Sequence, residues 1–173
     1  MESLDEPKES SEDKGKCIKE ARQISEWDVS EVTDFRAVFK RTDFNADIGE
    51  WDVAKGTTME EMFHAAYVFN HDLSKWDVSK VTNMHLMFGH AKAFNQDLSK
   101  WDVSNVMNMT YMFYNATAFE QVLCGPAWVN SKANKDSMFL KSRGEISATC
   151  GEEFSVFAVS ITRQDNDKHS LAF

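Results

Sequence analysis

The sequence predicts an α/β fold, a solenoid of about four strand-helix coils of 25 residues with a C-terminal cap. Tryptophan followed by Asp-Val recurs in steps of 24, 25 and 25 residues, at Trp27, Trp51, Trp76 and Trp101. The last three of these stretches also share the frame W-D-V-x-x-x-x-x-M-x-x-M-F-x-x-A-x-x-F. A fixed period of this size is typical of solenoids, in which each unit closes the core of the next.

The overall composition limits the classes of partner that suit this chain. Its 173 residues, 42% of them hydrophobic, are enough for one domain with a buried core. The net charge of -9 would repel phosphate groups, so we expect no nucleic-acid binding. No apolar run approaches the roughly 20 residues that span a bilayer. Residues 1–19 form a charged segment without the apolar stretch of a signal peptide. We therefore expect no direct membrane insertion, no membrane anchor and no export signal.

Composition and frame divide the chain into three segments. Residues 1–20 are rich in Glu, Ser, Asp and Lys, which predicts a disordered acidic tail because little apolar surface is present. Residues 21–123 hold the repeats. The frame then breaks, because Trp128 comes 27 residues after Trp101 with Cys-Gly-Pro inserted. Residues 124–173 are therefore predicted to be a C-terminal capping segment, which a solenoid needs to cover its last apolar layer.

Each repeat is predicted to contain a short strand, a helix and a return loop. The spacing Leu73-x-x-Trp76-x-Val78 is that of the strand in leucine-rich repeats, so these side chains should point inward and Asp77 outward. Apolar residues then follow at i, i+3, i+4 and i+7, which predicts one face of a helix, at Met84, Met87, Phe88 and Ala91.

Equivalent positions in successive repeats form columns of the same residue type. The apolar columns predict a stacked core: Met59, Met84 and Met109; Phe39, Phe63, Phe88 and Phe113; Phe44, Phe69, Phe94 and Phe119. A polar column, Asn45, Asn70 and Asn95, starts the return loop and is expected to satisfy backbone groups of neighbouring coils.

The capping segment has its own predicted elements. The stretch from Ser131 to Leu140 predicts a short helix, and Phe154 to Ile161 predicts a strand. Cys124 and Cys150 bracket this segment, so a disulfide between them would staple it in an oxidising compartment, leaving Cys17 free.

A column of aspartates follows the repeated tryptophans, at Asp28, Asp52, Asp77 and Asp102. Like charges opposite one another destabilise a sheet, so something must offset them. One interpretation is that each carboxylate accepts hydrogen bonds from local backbone or from the serine that follows. The alternative is that the column binds calcium or a basic partner, with Asp52, Asp77 and Asp102 as the partner-binding residues. A second acidic column precedes each strand, at Asp47, Asp72 and Asp97.

We find no set of residues that predicts catalysis, and no cofactor motif. A nucleophile elbow, a phosphate-binding loop and a paired-histidine motif are all absent from the sequence. His64 and His90 lie in adjacent columns of successive repeats and could approach one another, but we interpret them as surface histidines rather than metal ligands. His85 is predicted in an exposed helix column.

The repeat unit resembles that of the BspA-like leucine-rich-repeat surface proteins, a unit also described as a domain of unknown function in mycoplasma surface lipoproteins. The best-matching stretch is F-N-H-D-L-S-K-W-D-V-S-K-V-T-N-M, residues 69–84, followed by Met87 and Phe88. The resemblance implies a solenoid, placement at a cell surface or outside the cell, and a binding or adhesive role. Gly56 departs from the pattern, because Val32, Val81 and Val106 occupy that column elsewhere.

These observations favour a non-catalytic module for protein interaction or adhesion. Its partner would be a protein or an extracellular matrix component. The alternative is a structural module that self-associates through stacked coils, or a calcium-binding repeat surface. A capped solenoid stays monomeric and an uncapped one propagates, so the predicted cap favours a monomer.

Overall fold

The computed structural model describes residues 24–149. The predicted acidic tail, the strand from Phe154 to Ile161, Cys17 and Cys150 all lie outside this range. Regular elements within it are short. Strand β1 is Val122–Cys124, helix α1 is Pro126–Val129 and strand β2 is Glu145–Ser147. The two strands pair in parallel, with Val122 opposite Glu145. In this part of the chain, no helix is long and apolar enough to cross a membrane.

Backbone hydrogen bonds join each repeat to the next. We number the repeats 1 to 5, from Trp27, Trp51, Trp76, Trp101 and Trp128. Isolated parallel bridges follow one line through all five, along Asp34, Thr58, Asn83, Asn108 and Asn134. After each bridge, every second N–H group donates to a carbonyl oxygen of the following repeat. Between repeats 3 and 4 the donor–acceptor distances are 2.8, 3.1, 2.9 and 2.7 Å, for the N–H groups of Met84, Leu86, Phe88 and His90.

The helix predicted between Met84 and Ala91 is not formed, and turns occupy this segment. Of the other N–H groups, those of Met87, Gly89 and Ala91 bond three residues back, such as Gly89 to Leu86 at 2.9 Å, and that of His85 bonds to Oδ1 of Asn83. Leu86 and His90 have φ angles of 51° and 59°, whereas a right-handed helix needs a negative φ throughout. A left-handed residue costs about 1–2 kcal/mol. Every second N–H group of this segment donates to the neighbouring repeat and not within its own turn. These hydrogen bonds between repeats offset the cost of the left-handed residues.

The predicted helix from Ser131 to Leu140 is also replaced by turns. Asn134 continues the line of bridges, and Ser137 and Lys141 have φ angles of 54° and 64°. Every repeat has two left-handed residues four positions apart in this place. The described part of the capping segment therefore continues the repeat pattern as a fifth unit.

The phenylalanine columns form the centre of the core, as predicted. The rings of Phe63 and Phe113 stack on the two sides of Phe88, with centroid distances of 5.4 and 5.5 Å. Phe94 of the second column stacks on Phe88 at 4.0 Å. Each of these side chains is fully buried. A core residue therefore contacts its equivalents in two other repeats, which is why a single repeat would lack a closed core.

Each buried tryptophan bonds to the segment that lies just ahead of the preceding tryptophan in the chain. Trp76, Trp101 and Trp128 are buried, and their indole N–H groups donate to the carbonyl oxygens of Ile48, Leu73 and Leu98 at 3.0, 2.9 and 3.0 Å. Trp27 is the exception, because 58% of its surface is exposed. The first tryptophan shares the frame in sequence but not the packing.

The asparagine column connects the return loops, as predicted. The Oδ1 atom of Asn70 accepts the N–H of Asn95 at 2.9 Å, and Oδ1 of Asn95 accepts the N–H of Glu120 at 3.0 Å. These bonds satisfy backbone donors that no strand pairs. The assignment of the stacked repeats to a leucine-rich-repeat-like solenoid stays a prediction.

Candidate interaction surfaces

The aspartate column lies on the surface, and every member is held by its own backbone. The Oδ1 atom of each carboxylate accepts the N–H group two residues further on, at 3.0 or 3.1 Å, for Asp28, Asp52, Asp77 and Asp102. This is an Asx turn, in which the side chain replaces a backbone acceptor at a corner. The local hydrogen bonds proposed as one interpretation of the column are therefore present.

These hydrogen bonds also lower the pKa of Asp77 and Asp102. Bonds from the side chain and backbone of Ser104 hold the pKa of Asp102 below its usual value, although the charge of Asp77 opposes this shift. Bonds from Ser79 lower the pKa of Asp77 in the same way. A carboxylate with a lowered pKa stabilises the fold at neutral pH, and this stabilisation is lost as the pH falls through the folded-state pKa. The repulsion between neighbours is real but smaller than the effect of the local bonds.

Basic side chains make this surface mixed rather than uniformly acidic. Lys55 forms an ion pair with Glu31 of the preceding repeat, and Lys75 forms one with Glu50. The charge of Lys80 contributes to the lowered pKa of Asp77. The carboxylates of the second acidic column also accept backbone hydrogen bonds. Their Oδ1 atoms accept the N–H group two residues further on, that of Gly49 for Asp47, of Ser74 for Asp72 and of Ser99 for Asp97.

A calcium site along the aspartate column would need several oxygen ligands around one ion. Residues 24–149 contain no group of three or more His, Cys, Asp or Glu side chains placed to hold a metal ion. Calcium binding by Asp28, Asp52, Asp77 and Asp102 stays a prediction, with a measurable consequence for stability.

Local hydrogen bonding and calcium binding predict different results: with local bonds alone the melting temperature is the same in millimolar calcium and in chelator, whereas calcium binding raises it in calcium. A ligand that binds only the native state raises stability by RT ln(1 + [L]/Kd), about 2.7 kcal/mol at a hundred times Kd. The control is Asp77→Asn with Asp102→Asn, which keeps both Oδ1 acceptors and removes both charges. This variant should be slightly less stable than the wild type, by a few degrees in melting temperature at most, because a neutral amide oxygen accepts the two N–H groups more weakly than a carboxylate does. A calcium-dependent rise in melting temperature that the double variant lacks would establish the metal site.

The turns of repeats 2, 3 and 4 carry a cluster of five aromatic rings that we call the ring cluster: His64, His85, His90, Tyr111 and Tyr114. Consecutive rings approach edge to face along one path. The centroid distances are 5.6 Å from His64 to His90, 5.0 Å from His90 to Tyr114, 5.7 Å from Tyr114 to Tyr111, and 6.3 Å from Tyr111 to His85. The approach of His64 to His90, which their columns allow, is present.

The turn conformation brings these rings together. His90 and Tyr111 are themselves left-handed residues, with φ angles of 59° and 57°. Such a φ turns a side chain away from the position it would have on a helix, which is why helical spacing did not indicate the cluster. The repeat pattern did not indicate Tyr111 or Tyr114 as functional residues, because the equivalent positions of the other repeats hold different residue types.

The ring cluster is held in place by polar contacts between repeats. His85 Nδ1 lies 2.6 Å from the hydroxyl of Thr110, and Asn115 Nδ2 lies 3.0 Å from His90 Nδ1. His64 Nδ1 is buried and has no hydrogen-bond partner, with Glu61 Oε1 at 3.7 Å. Burial lowers the pKa of His64, against the opposing effect of the Glu61 charge. His64 therefore contributes mainly a flat ring to the cluster, whereas His85 and His90 also form hydrogen bonds.

The edge of the ring cluster is exposed and partly apolar. Tyr111 has 40% of its surface exposed, and Leu140 of repeat 5 has 49%. The ammonium group of Lys141 lies 5.6 Å from the centroid of the Tyr114 ring, within the range of a cation–π contact. A partner docking here would meet aromatic faces bordered by a positive charge.

Cys124, at the end of β1, is 5% exposed and disulfide-bonded. The predicted pairing with Cys150 stays a prediction, because Cys150 lies outside the described residues.

Comparison with known proteins identifies one family. Residues 11–143 match the family model described as mycoplasma protein of unknown function, DUF285. No curated protein and no solved structure matches the chain.

Proposed function

The chain belongs to DUF285, a family of mycoplasma proteins of unknown function, and we propose that it is a non-catalytic module that binds another protein through the ring cluster. The resemblance of its repeat to BspA-like surface proteins supports the further proposal that this binding is adhesive and takes place at a cell surface. The partner would be a protein, such as a component of an extracellular matrix.

The observation that carries this proposal is the continuity of the five rings across three repeats. Protein interfaces are enriched in tyrosine at their centres, and a few such residues supply most of the binding energy. Tyrosine offers a large contact area and a hydroxyl group while having few rotatable bonds to immobilise. Tyr111 and Tyr114 are linked by ring contacts to one another and to the histidines, so this surface is ordered before a partner arrives.

The aspartate column is less suited to the centre of an interface. Each carboxylate already accepts a backbone hydrogen bond, and ion pairs such as Lys55 with Glu31 neutralise part of the surrounding charge. Charged groups at the rim of an interface affect the association rate more than the affinity. We therefore assign Asp52, Asp77 and Asp102 a steering role at most.

The test compares two double variants in capture experiments. The wild type is used to capture proteins from host lysate and culture medium, and the affinity for each captured protein is then measured. Tyr111→Ser with Tyr114→Ser should lower that affinity about tenfold or more, since truncating a central aromatic residue costs about 2 kcal/mol or more. The matched control, Asp77→Asn with Asp102→Asn, should bind with the affinity of the wild type at physiological salt.

The opposite pattern of affinities would assign the binding site to a different surface. If the aspartate variant loses binding and the tyrosine variant retains it, the aspartate column is the binding surface. If the wild type captures no protein from any source, the proposed interaction role is wrong. Both double variants should keep the melting temperature of the wild type within a few degrees, which separates loss of binding from loss of fold.

A further inference from the structure

Repeat 5 ends the described stack with an open row of backbone donors. In repeats 1 to 4, four alternating N–H groups of each repeat donate to the next repeat. Their equivalents in repeat 5 have no acceptor among residues 24–149: Lys135, Ser137, Phe139 and Lys141. A row of free donors on a strand-like edge is a ready template for another chain.

Repeat 1 presents the complementary row of acceptors. In repeats 2 to 5, four alternating carbonyl oxygens accept the N–H groups of the preceding repeat. Their equivalents in repeat 1 accept no hydrogen bond from the described residues: Asp34, Arg36, Val38 and Lys40. Donors and acceptors have the same spacing because they occupy the same columns. A second copy placed after repeat 5 would therefore continue the hydrogen-bond pattern.

The charges of the two ends are opposite. Residues 27–50 contain six acidic and three basic side chains, whereas residues 128–149 contain four basic and two acidic ones. An end-to-end contact between copies would bring these two sets together. Complementary potentials of this kind raise association rates and disfavour contact between two like ends.

The aromatic core column also ends at repeat 5. Its rings are stacked at centroid distances of 5.5, 5.4, 5.5 and 5.5 Å, through Phe39, Phe63, Phe88, Phe113 and Phe139. Phe139 is only partly buried, whereas the other four rings of the column, including Phe39 at the opposite end, are buried. A further repeat against this end would cover its ring.

From these matched ends we propose that the protein self-associates head to tail, with repeat 5 of one copy docked on repeat 1 of a second copy. The contact is heterologous, so each added copy leaves a free end and the product is an open chain. Main-chain hydrogen bonds supply affinity, as in strand addition at a sheet edge, and the charged side chains specify which ends meet. The ring cluster lies on the side of the stack, so this inference does not depend on the proposed function.

The experiment uses sedimentation of the full chain from micromolar to millimolar concentration. We expect the mean mass of the wild type to rise steadily with concentration, without a limit at the dimer. Two end variants each reverse one exposed charge: Lys132→Glu in repeat 5 and Asp43→Lys in repeat 1. Each should weaken self-association about tenfold or more. The matched control, Lys100→Glu, makes the same kind of charge reversal as Lys132→Glu but in repeat 3, away from both ends, and should associate as the wild type does.

Mixing the two end variants provides the decisive measurement. Each alone should be largely monomeric, and an equimolar mixture should recover association, because the mixture contains complementary ends. Recovery also shows that both variants are folded. If one variant alone still dimerises, the contact joins like ends and the head-to-tail arrangement is wrong. If the wild type is monomeric at every concentration, the ends are closed within one chain and self-association is wrong.

Discussion

Replacing Phe88 with alanine is expected to destabilise the protein by about 3 to 5 kcal/mol, the usual cost of removing a buried phenylalanine ring. Phe88 is fully buried and its ring stacks on those of Phe63, Phe94 and Phe113. The cavity would lie in the middle of the stack, where repeats 2 and 4 cannot close over it without losing their backbone bonds to repeat 3. The loss is a large part of the total stability of a domain of this size, about 5–15 kcal/mol.

A denaturant titration measures this effect. The control is Lys80→Ala in the same repeat, an exposed side chain whose removal should change stability by about 0.5 kcal/mol or less. If the phenylalanine variant is too unstable to purify, Phe88→Leu keeps most of the volume and should show an intermediate loss. Equal effects from Phe88→Ala and Lys80→Ala would contradict the stacked core.

Replacing Trp101 with alanine is expected to lower the free energy of unfolding by a similar amount, about 3 to 5 kcal/mol. Trp101 is 1% exposed, its indole lies parallel to that of Trp76 at 6.5 Å, and its Nε1 donates to the carbonyl oxygen of Leu73. Trp101→Phe removes this hydrogen bond but keeps an aromatic ring. Its cost should be smaller, because the net contribution of such a bond is about 0.5–1.5 kcal/mol and Leu73 also accepts the N–H of Trp76.

Trp27 provides a control of the same residue type in the same column. Because 58% of its surface is exposed, Trp27→Ala should change the free energy of unfolding by about 0.5 kcal/mol or less. The order Trp101→Ala, Trp101→Phe, Trp27→Ala, from largest to smallest loss, tests the packing and the hydrogen bond together. A loss for Trp27→Ala as large as that for Trp101→Ala would mean that repeat 1 is built like the others.

The sequence by itself determined which side chains form the core. The period of the tryptophans and the columns of phenylalanine and methionine predict that Phe63, Phe88 and Phe113 stack, and they do. The asparagine column, with its bonds between return loops, was predictable for the same reason. Equivalent positions in neighbouring repeats must meet wherever a period is constant, whatever backbone conformation connects them.

Only the tertiary structure decided the backbone conformation and the ring cluster. The spacing of Met84, Met87, Phe88 and Ala91 specifies which side chains share a face, and both a helix and a series of left-handed turns satisfy it. The choice depends on whether an N–H group bonds within its own turn or to the next repeat, and that alternative exists only once the repeats are stacked. The ring cluster joins unrelated columns of three repeats, so no periodic signal marks it. Its rings meet because the turns at His90 and Tyr111 have a positive φ, a property that the neighbouring repeat stabilises.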